Sequence, residues 1–76
     1  MNYKRRINLK KAIEWLNKVA NIISLVCDEE SDSLENMPEN LLSSDRCQKM
    51  EDNIDELYDI ESDIDAIIQR IESIMG

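Results

Sequence analysis

The chain of 76 residues carries 9 basic and 17 acidic side chains, no histidine and a net charge of −8. One glycine and one proline provide too few turn residues for a fold of many short strands, so we expect one all-α domain over residues 1–76. A strongly acidic chain repels phosphate, which argues against direct nucleic-acid binding and against anionic membranes. No apolar run approaches the roughly 18 residues of a membrane span.

The charge is distributed unevenly along the chain. In the first 18 residues six basic side chains accompany a single acid, Glu14, whereas residues 28–65 contain 15 acids and only two bases, Arg46 and Lys49. The chain is therefore an electrical dipole along its sequence. Residues 1–6 are expected to form a frayed basic lead-in to the first helix.

The first helix is predicted over about residues 7–33, because apolar side chains recur at alternating steps of three and four residues. In heptad positions lettered a to g, these residues fill a and d: Leu9, Ile13, Leu16, Ala20, Ile23 and Cys27. Positions g and c are also apolar, and they hold Ala12, Trp15, Val19, Ile22 and Val26. The apolar arc thus covers more than half of the helix circumference, which is more than one partner helix covers.

We therefore expect a second copy of the chain to cover part of this arc. The predicted homodimer is an antiparallel C2 pair of hairpins that forms a four-helix bundle, with the basic start of one chain near acids of the other. Its interface is predicted at Trp15, Val19, Ile22 and Val26. Two alternatives stay open, namely a monomeric hairpin with an exposed apolar patch and a patch that binds a different protein.

A short connection separates the two helices. Pro38 disfavours a helical conformation at Met37, so the first helix has ended by that point. Pro38 also suits the first position of a new short turn. The residues that fit the N-cap of the second helix are Ser43, Ser44 and Asp45.

The second helix is predicted over about residues 45–75, again from apolar steps of three and four. Its a and d positions hold Met50, Ile54, Leu57, Ile64, Ile68, Ile71 and Met75, with Glu61 as the one charged a residue. Position g adds Ile60, Ile67 and Ile74. The stripe of a, d and g resembles that of a helix bundle and is wider than a two-stranded coiled coil needs.

The outer face of this second helix is acidic, and no lysine or arginine lies between Lys49 and Arg70. Such a face either solubilises the helix or binds a basic partner. Carboxylates repeated along a helix also resemble the phosphates of a nucleic-acid backbone. The residues assigned to partner binding are Asp52, Asp55, Glu56, Asp59 and Asp63.

Catalytic and metal sites are not expected. The chain lacks histidine, and carboxylates on solvated faces do not form an acid–base couple, so we interpret it as a non-enzyme without a cofactor. The spacing of an EF-hand calcium loop can be matched, but Ser33 stands where a glycine is needed. The matched residues are Asp28, Glu30, Asp32, Asn36 and Glu39. Cys27 and Cys47 are expected to be unpaired core residues in a reducing cytosol.

The connection also carries a resemblance. The run Asn36-Met37-Pro38-Glu39-Asn40-Leu41 with Ser44 and Arg46 after it resembles small acidic α-helical proteins encoded by bacteriophages and mobile elements of bacteria. The similarity extends from about Ile22 to the C-terminus, and the connection is its specific part. It implies a helical accessory protein of a mobile element and names no activity.

If the resemblance holds, the polar residues of the connection form one unit, which consists of Asn36, Pro38, Glu39, Asn40, Ser44 and Arg46. One interpretation is a self-capping corner in which Arg46 pairs with Glu30 or Glu39. The other is a small polar pocket, doubled by dimer symmetry, that holds a ligand. We favour the corner.

These patterns favour a non-catalytic protein that binds and blocks a host protein in the cytoplasm of a bacterial host. A phage inhibitor of host defence or of a DNA-handling protein would act by occlusion or by acidic mimicry. Two alternatives remain, which are sequestration of a small nucleotide-like ligand at a dimer pocket and a structural adaptor. The sequence does not identify the target.

Overall fold

The computed structural model describes residues 1–41 and 44–76, and it is a hairpin of two long helices. Helix α1 spans Tyr3–Glu35, a short 3₁₀ helix spans Glu39–Leu41, and helix α2 spans Asp45–Met75. The two long helices pack against each other, and the hairpin measures 60 × 15 × 12 Å along its principal axes. The predicted all-α hairpin is confirmed. Leu42 and the proposed cap residue Ser43 lie outside the described residues.

Helix α1 begins earlier than the sequence suggested, at Tyr3 instead of about residue 7. The Asn2 side chain accepts a hydrogen bond of 2.9 Å from the backbone N–H of Arg5, which satisfies one of the free amides at the helix start. Residues 3–6 are therefore helical, and the expected irregular lead-in is limited to the residues before Tyr3. The prediction overlooked Asn2 as a cap.

Both helices are capped where they meet the connection. Asn36 ends α1, and its side-chain N–H donates to the Asp32 carbonyl oxygen at 2.9 Å. Ser44 is the N-cap of α2, because its hydroxyl oxygen accepts a hydrogen bond of 3.2 Å from the backbone N–H of Cys47. Ser44 was one of the three predicted cap residues.

The seam between the helices consists of the predicted a and d positions together with Cys47, which lies one heptad before Ile54. Four of these side chains are buried, namely Cys27, Cys47, Ile64 and Ile68. The remaining seam residues are half-buried: Leu9, Ile13, Leu16, Ala20, Ile23, Met50, Ile54, Leu57, Ile71 and Met75. Two helices can thus bury one stripe each, but they fully enclose few side chains.

The hairpin exposes more surface than a compact protein of its size. Its accessible surface is 6016 Å², whereas a compact chain of 8.9 kDa exposes about 4,800 Å². Its radius of gyration is 17.4 Å, against about 11 Å for a compact domain of this length. Much of the surface that a larger protein would bury is therefore left on the outside.

Candidate functional site

The seam has two flanks, and the first of them is polar. A groove along this side is lined by Asn17 and Ser24 of α1 and by Tyr58 and Asp65 of α2. These residues occupy heptad position e on both helices. In an antiparallel hairpin, position e of one helix faces position e of the other on one side of the seam, and the two g positions face each other on the opposite side. We call the e side the polar flank.

The opposite side of the seam is formed by position g of both helices. Here Val26 of α1 meets Asn53, Glu56 and Leu57 of α2. Residues seven apart return to the same side of a helix in a hairpin of this kind. The row through Val26 therefore includes Val19 and Ala12, and the row through Asn53 includes Ile60, Ile67 and Ile74.

Apolar side chains on this second side are largely exposed. Trp15, Ile22 and Ile74 are 65%, 61% and 62% exposed. About two-fifths of the side chain is exposed at Val19, Val26 and Ile67. We call the whole set the apolar flank, which consists of Trp15, Val19, Ile22, Val26, Ile67 and Ile74. The exposed areas together amount to several hundred Å², comparable with the largest apolar patch of a typical monomer, about 300–600 Å², and such patches are often functional.

The predicted interface residues are thus brought together, but α2 makes a contribution that sequence reasoning missed. Trp15, Val19, Ile22 and Val26 were assigned to the interface, whereas Ile67 and Ile74 were treated only as part of a wide stripe on α2. The signal was present in the heptad positions, because an antiparallel pair places both g rows on one side of its seam.

Trp15 also has a charged neighbour. The Lys18 ammonium lies 4.6 Å from the centroid of the Trp15 ring, a distance at which a cation is attracted to the ring face. The aliphatic part of Lys18 therefore extends the apolar flank, while its charge stays at the edge. Leu25, which is 58% exposed, lies next to this edge.

The five acids assigned to partner binding are all exposed on the outer side of α2: Asp52, Asp55, Glu56, Asp59 and Asp63. The eleven residue steps from Asp52 to Asp63 correspond to roughly 16 Å along the helix. Asp52 accepts a hydrogen bond of 3.0 Å from Gln48 one turn before it. Position c, which holds Glu56 and Asp63, borders the apolar flank, so acidic and apolar surfaces adjoin on α2.

The corner residues are exposed, apart from the half-buried Ser44. Asn36 and Ser44 use their side chains to cap the helices, and the Ser44 hydroxyl also donates to the Leu41 carbonyl oxygen at 2.6 Å. Glu39 and Asn40 lie in the 3₁₀ helix. Asn36 and Ser44 thus cap the two helices, and no side-chain hydrogen bond or ion pair of Arg46 with Glu30 or Glu39 is found among the described residues.

A calcium loop does not form at the residues that match its spacing. Asp28, Glu30 and Asp32 lie within α1, which continues to Glu35, whereas an EF-hand loop needs a chain that wraps around the ion. Across residues 1–41 and 44–76, acids and cysteines form no group of three or more that would hold a metal ion. In the same part of the chain, neither helix is both long and apolar enough to cross a membrane.

Cys27 and Cys47 are both buried and unpaired, as predicted. Cys27 lies in the seam beside Tyr58 on the polar flank. Electrostatic repulsion by Cys27, and next the side-chain hydrogen bond with Cys27, raise the pKa of Tyr58 above its usual range. Burial and the acids Asp28 and Glu61 act in the same direction.

Comparison of the chain with protein-family models, with curated proteins and with solved structures finds no match. The resemblance at the connection therefore stays a prediction.

Proposed function

We propose that this protein is a non-catalytic binding factor whose acidic α2 face occupies a basic surface of a host protein, as an inhibitor encoded by a phage or mobile element would do in a bacterial cytoplasm. The observation that carries the proposal is the row of five exposed carboxylates on a stretch of α2 without a basic residue. They are Asp52, Asp55, Glu56, Asp59 and Asp63.

The spacing of these acids supports mimicry of a nucleic-acid backbone. Five carboxylates over roughly 16 Å correspond to one charge per roughly 4 Å, which is close to the one phosphate per about 3.4 Å along a strand of DNA. Like charges four residues apart repel by a few tenths of a kcal/mol per pair. A partner with lysines and arginines relieves this repulsion when it binds.

The state of the reactive side chains also favours binding over catalysis. The chain lacks histidine, and the thiols of Cys27 and Cys47 are enclosed in the seam. At the corner, Asn36 and Ser44 already use their polar groups to cap the helices. These bonds occupy groups that a small nucleotide-like ligand would need, so we rank the ligand pocket below protein binding.

The test uses competition with DNA. Bacterial lysate is bound to DNA-cellulose and washed with the purified protein, and the released proteins are identified. The proposal predicts release of a specific DNA-handling protein by the wild type, with loss of release for the variant Asp55→Asn, Asp59→Asn, Asp63→Asn. Added salt should weaken the competition, because screening shortens the range of the charges.

The matched control neutralises three acids near the turn, with Asp28→Asn, Glu35→Gln and Glu39→Gln. This variant has the same net charge as the first one and should still release the protein. Equal loss in both variants would reduce the effect to net charge, and release by neither the wild type nor the control would contradict the proposal. A structural adaptor would tolerate both sets of substitutions.

A further inference from the structure

We infer that the apolar flank is the surface on which a second copy of this chain docks, with the two hairpins side by side and pointing in opposite directions. This dimerisation is independent of the proposed function, because the acids of α2 that would bind a host protein lie mainly outside the flank. The two copies have a defined orientation, set by charge, and a defined register, set by the spacing of residues on α1.

The two ends of the hairpin have opposite charge. Residues 1–18 carry six bases and one acid, and the end of α2 lies beside them, since Gly76 is next to the Arg6 side chain. That end of α2, residues 66–76, adds only Arg70 and Glu72. The other 15 acids, with Arg46 and Lys49, lie in residues 28–65. Two copies that point in the same direction would place like charges opposite each other at both ends. Two copies that point in opposite directions place the basic end of each copy beside the acidic end of the other.

The register follows from one row of residues on α1. Asn8, Trp15, Ile22 and Glu29 are spaced by seven, so they line up on the same side of the helix. This row has two apolar residues in its centre and a polar residue at each end. A two-fold axis near Val19 places Trp15 of one copy against Ile22 of the other and Asn8 against Glu29.

The same axis pairs charges on both sides of the apolar centre. To within one helical turn, Arg5 of one copy lies opposite Asp32 of the other, and Lys11 lies near Glu29. Each contact occurs twice by symmetry. The flank therefore has an apolar centre and a charged edge, which is the composition of a protein interface.

The surface available suits a small interface. Each copy offers several hundred Å² of exposed apolar side chain, with the charged edge in addition, and stable interfaces bury about 800 Å² per partner. Two hairpins in this arrangement form the four-helix bundle that covers Trp15, Val19 and Ile22. We expect a dissociation constant on the order of 1–10 µM, at the weak end of the µM-to-pM range of standard-size interfaces, because the exposed apolar area is small.

Cysteine cross-linking tests the orientation directly. Asn8→Cys and Glu29→Cys are exposed single substitutions, and the native Cys27 and Cys47 are buried. Under mild oxidation, the inferred dimer predicts a covalent dimer when the two variants are mixed and little when either is oxidised alone. The two positions are about 31 Å apart on α1, so they cannot join within one chain.

Wild-type protein under the same oxidation is the control for the native thiols. A covalent dimer of Asn8→Cys alone would show that the copies point in the same direction, and no covalent dimer in the mixture would show that this row is not an interface. Either result overturns the inference.

Charge reversal tests the pairing of the ends. The variant Arg5→Glu, Lys11→Glu and the variant Glu29→Lys, Asp32→Lys should each raise the dissociation constant roughly tenfold in sedimentation experiments. Combining all four changes should restore association, because the opposite charges are then exchanged. Arg5→Glu places an acid at the start of α1, which favours the helix, so weaker association would not reflect unfolding.

The inference fails if the reversed variants associate as strongly as the wild type, or if the fourfold variant stays as weak as its parents. The acid variants proposed for host binding leave the α1 row unchanged. If the protein associates normally but does not compete with DNA, only the proposed function is contradicted. If it competes with DNA but does not associate, only this inference is contradicted.

Discussion

The two flanks of the hairpin have the same geometry and opposite surface chemistry. The polar flank presents Asn17 and Asp65 to water beside the half-buried Ser24, while the apolar flank presents Val19, Ile22 and Ile67. Both border the same seam and arise from the same heptad repeat. The difference shows that the seam alone does not require a wide apolar stripe, because the polar flank closes the hairpin without one.

The exposed part of the apolar flank has a cost. Exposed apolar surface favours non-specific association, and a monomer is expected to avoid a patch of this size. A polar residue at Ile22, which is 61% exposed, would leave most of the helix contacts of the hairpin intact. The apolar character of this position therefore points to a surface that is covered when the protein works.

The largest expected loss of stability comes from a substitution in the seam, and a neighbouring substitution on the apolar flank should cost much less. Ile68 is 7% exposed and its neighbour Ile67 is 42% exposed. Ile68→Ala should lower the free energy of unfolding by about 2–5 kcal/mol, since it removes buried methylene groups and leaves a cavity. Ile67→Ala, the matched control, should lower it by less than about 1 kcal/mol. Urea unfolding at low protein concentration, where dimers are dissociated, measures both.

Equal losses at the two positions would contradict this boundary. They would place Ile67 in the core, and the apolar flank would then lose part of its surface. A much smaller loss at Ile68 would instead mean that the seam packs less tightly than the structure indicates.

A smaller effect is expected at the cap that sets where α2 begins. Ser44→Ala removes the hydroxyl that accepts from the Cys47 N–H and should lower the free energy of unfolding by about 1 kcal/mol. Ser73→Ala, an exposed change within α2, is the control and should be neutral or slightly stabilising. Thermal unfolding followed by circular dichroism compares them, and equal melting temperatures would argue against the cap.

Substitutions on the acidic face of α2 are expected to raise the free energy of unfolding instead of lowering it. Asp55→Asn, Asp59→Asn and Asp63→Asn together remove repulsion between acids four residues apart and should stabilise the hairpin by a few tenths of a kcal/mol. The gain should shrink in high salt, because the repulsion is then screened. Chemical unfolding at two salt concentrations measures it, and destabilisation would show that these acids support the fold.

The last prediction concerns the polar flank and high pH. The pKa of Tyr58 is raised in the folded protein, chiefly by charge repulsion from Cys27. The unfolded chain therefore releases the Tyr58 proton at a lower pH than the folded protein. As a result, the free energy of unfolding is highest below the ordinary tyrosine pKa and falls as the pH rises through the raised pKa of the folded state.

The measurement is an ultraviolet titration of the phenolate in a Tyr3→Phe background, where Tyr58 is the only tyrosine. Cys27→Ala should bring the pKa of Tyr58 down toward its usual range, since it removes the largest cause of the shift. A pKa that does not change would mean that Tyr58 and the thiol do not interact as the structure indicates.

The seam and the turn were predictable because they depend on local rules. Steps of three and four residues identified Ile64 and Ile68, and Pro38 placed the end of the first helix. The start at Tyr3 was missed because Asn2 was counted with the basic lead-in instead of being examined as a cap.

The apolar flank was only half predictable. The exposed apolar residues on α1 followed from the width of its apolar arc, but the contribution of Ile67 and Ile74 depends on which sides of the two helices meet. The corner residue Arg46 could not be placed either, because its expected pairing depended on long side chains at an exposed site, where ion pairs are weak.

If a second copy covers the apolar flank, the exposure of Trp15, the single tryptophan of the chain, must fall as the copies associate. Fluorescence quenching of Trp15 by acrylamide should be measured over a wide range of protein concentration. Docking of a second copy predicts strong quenching in dilute protein and weak quenching in concentrated protein, with no such change in the variant Ile22→Asp. Quenching that stays strong at every concentration in the wild type would contradict it.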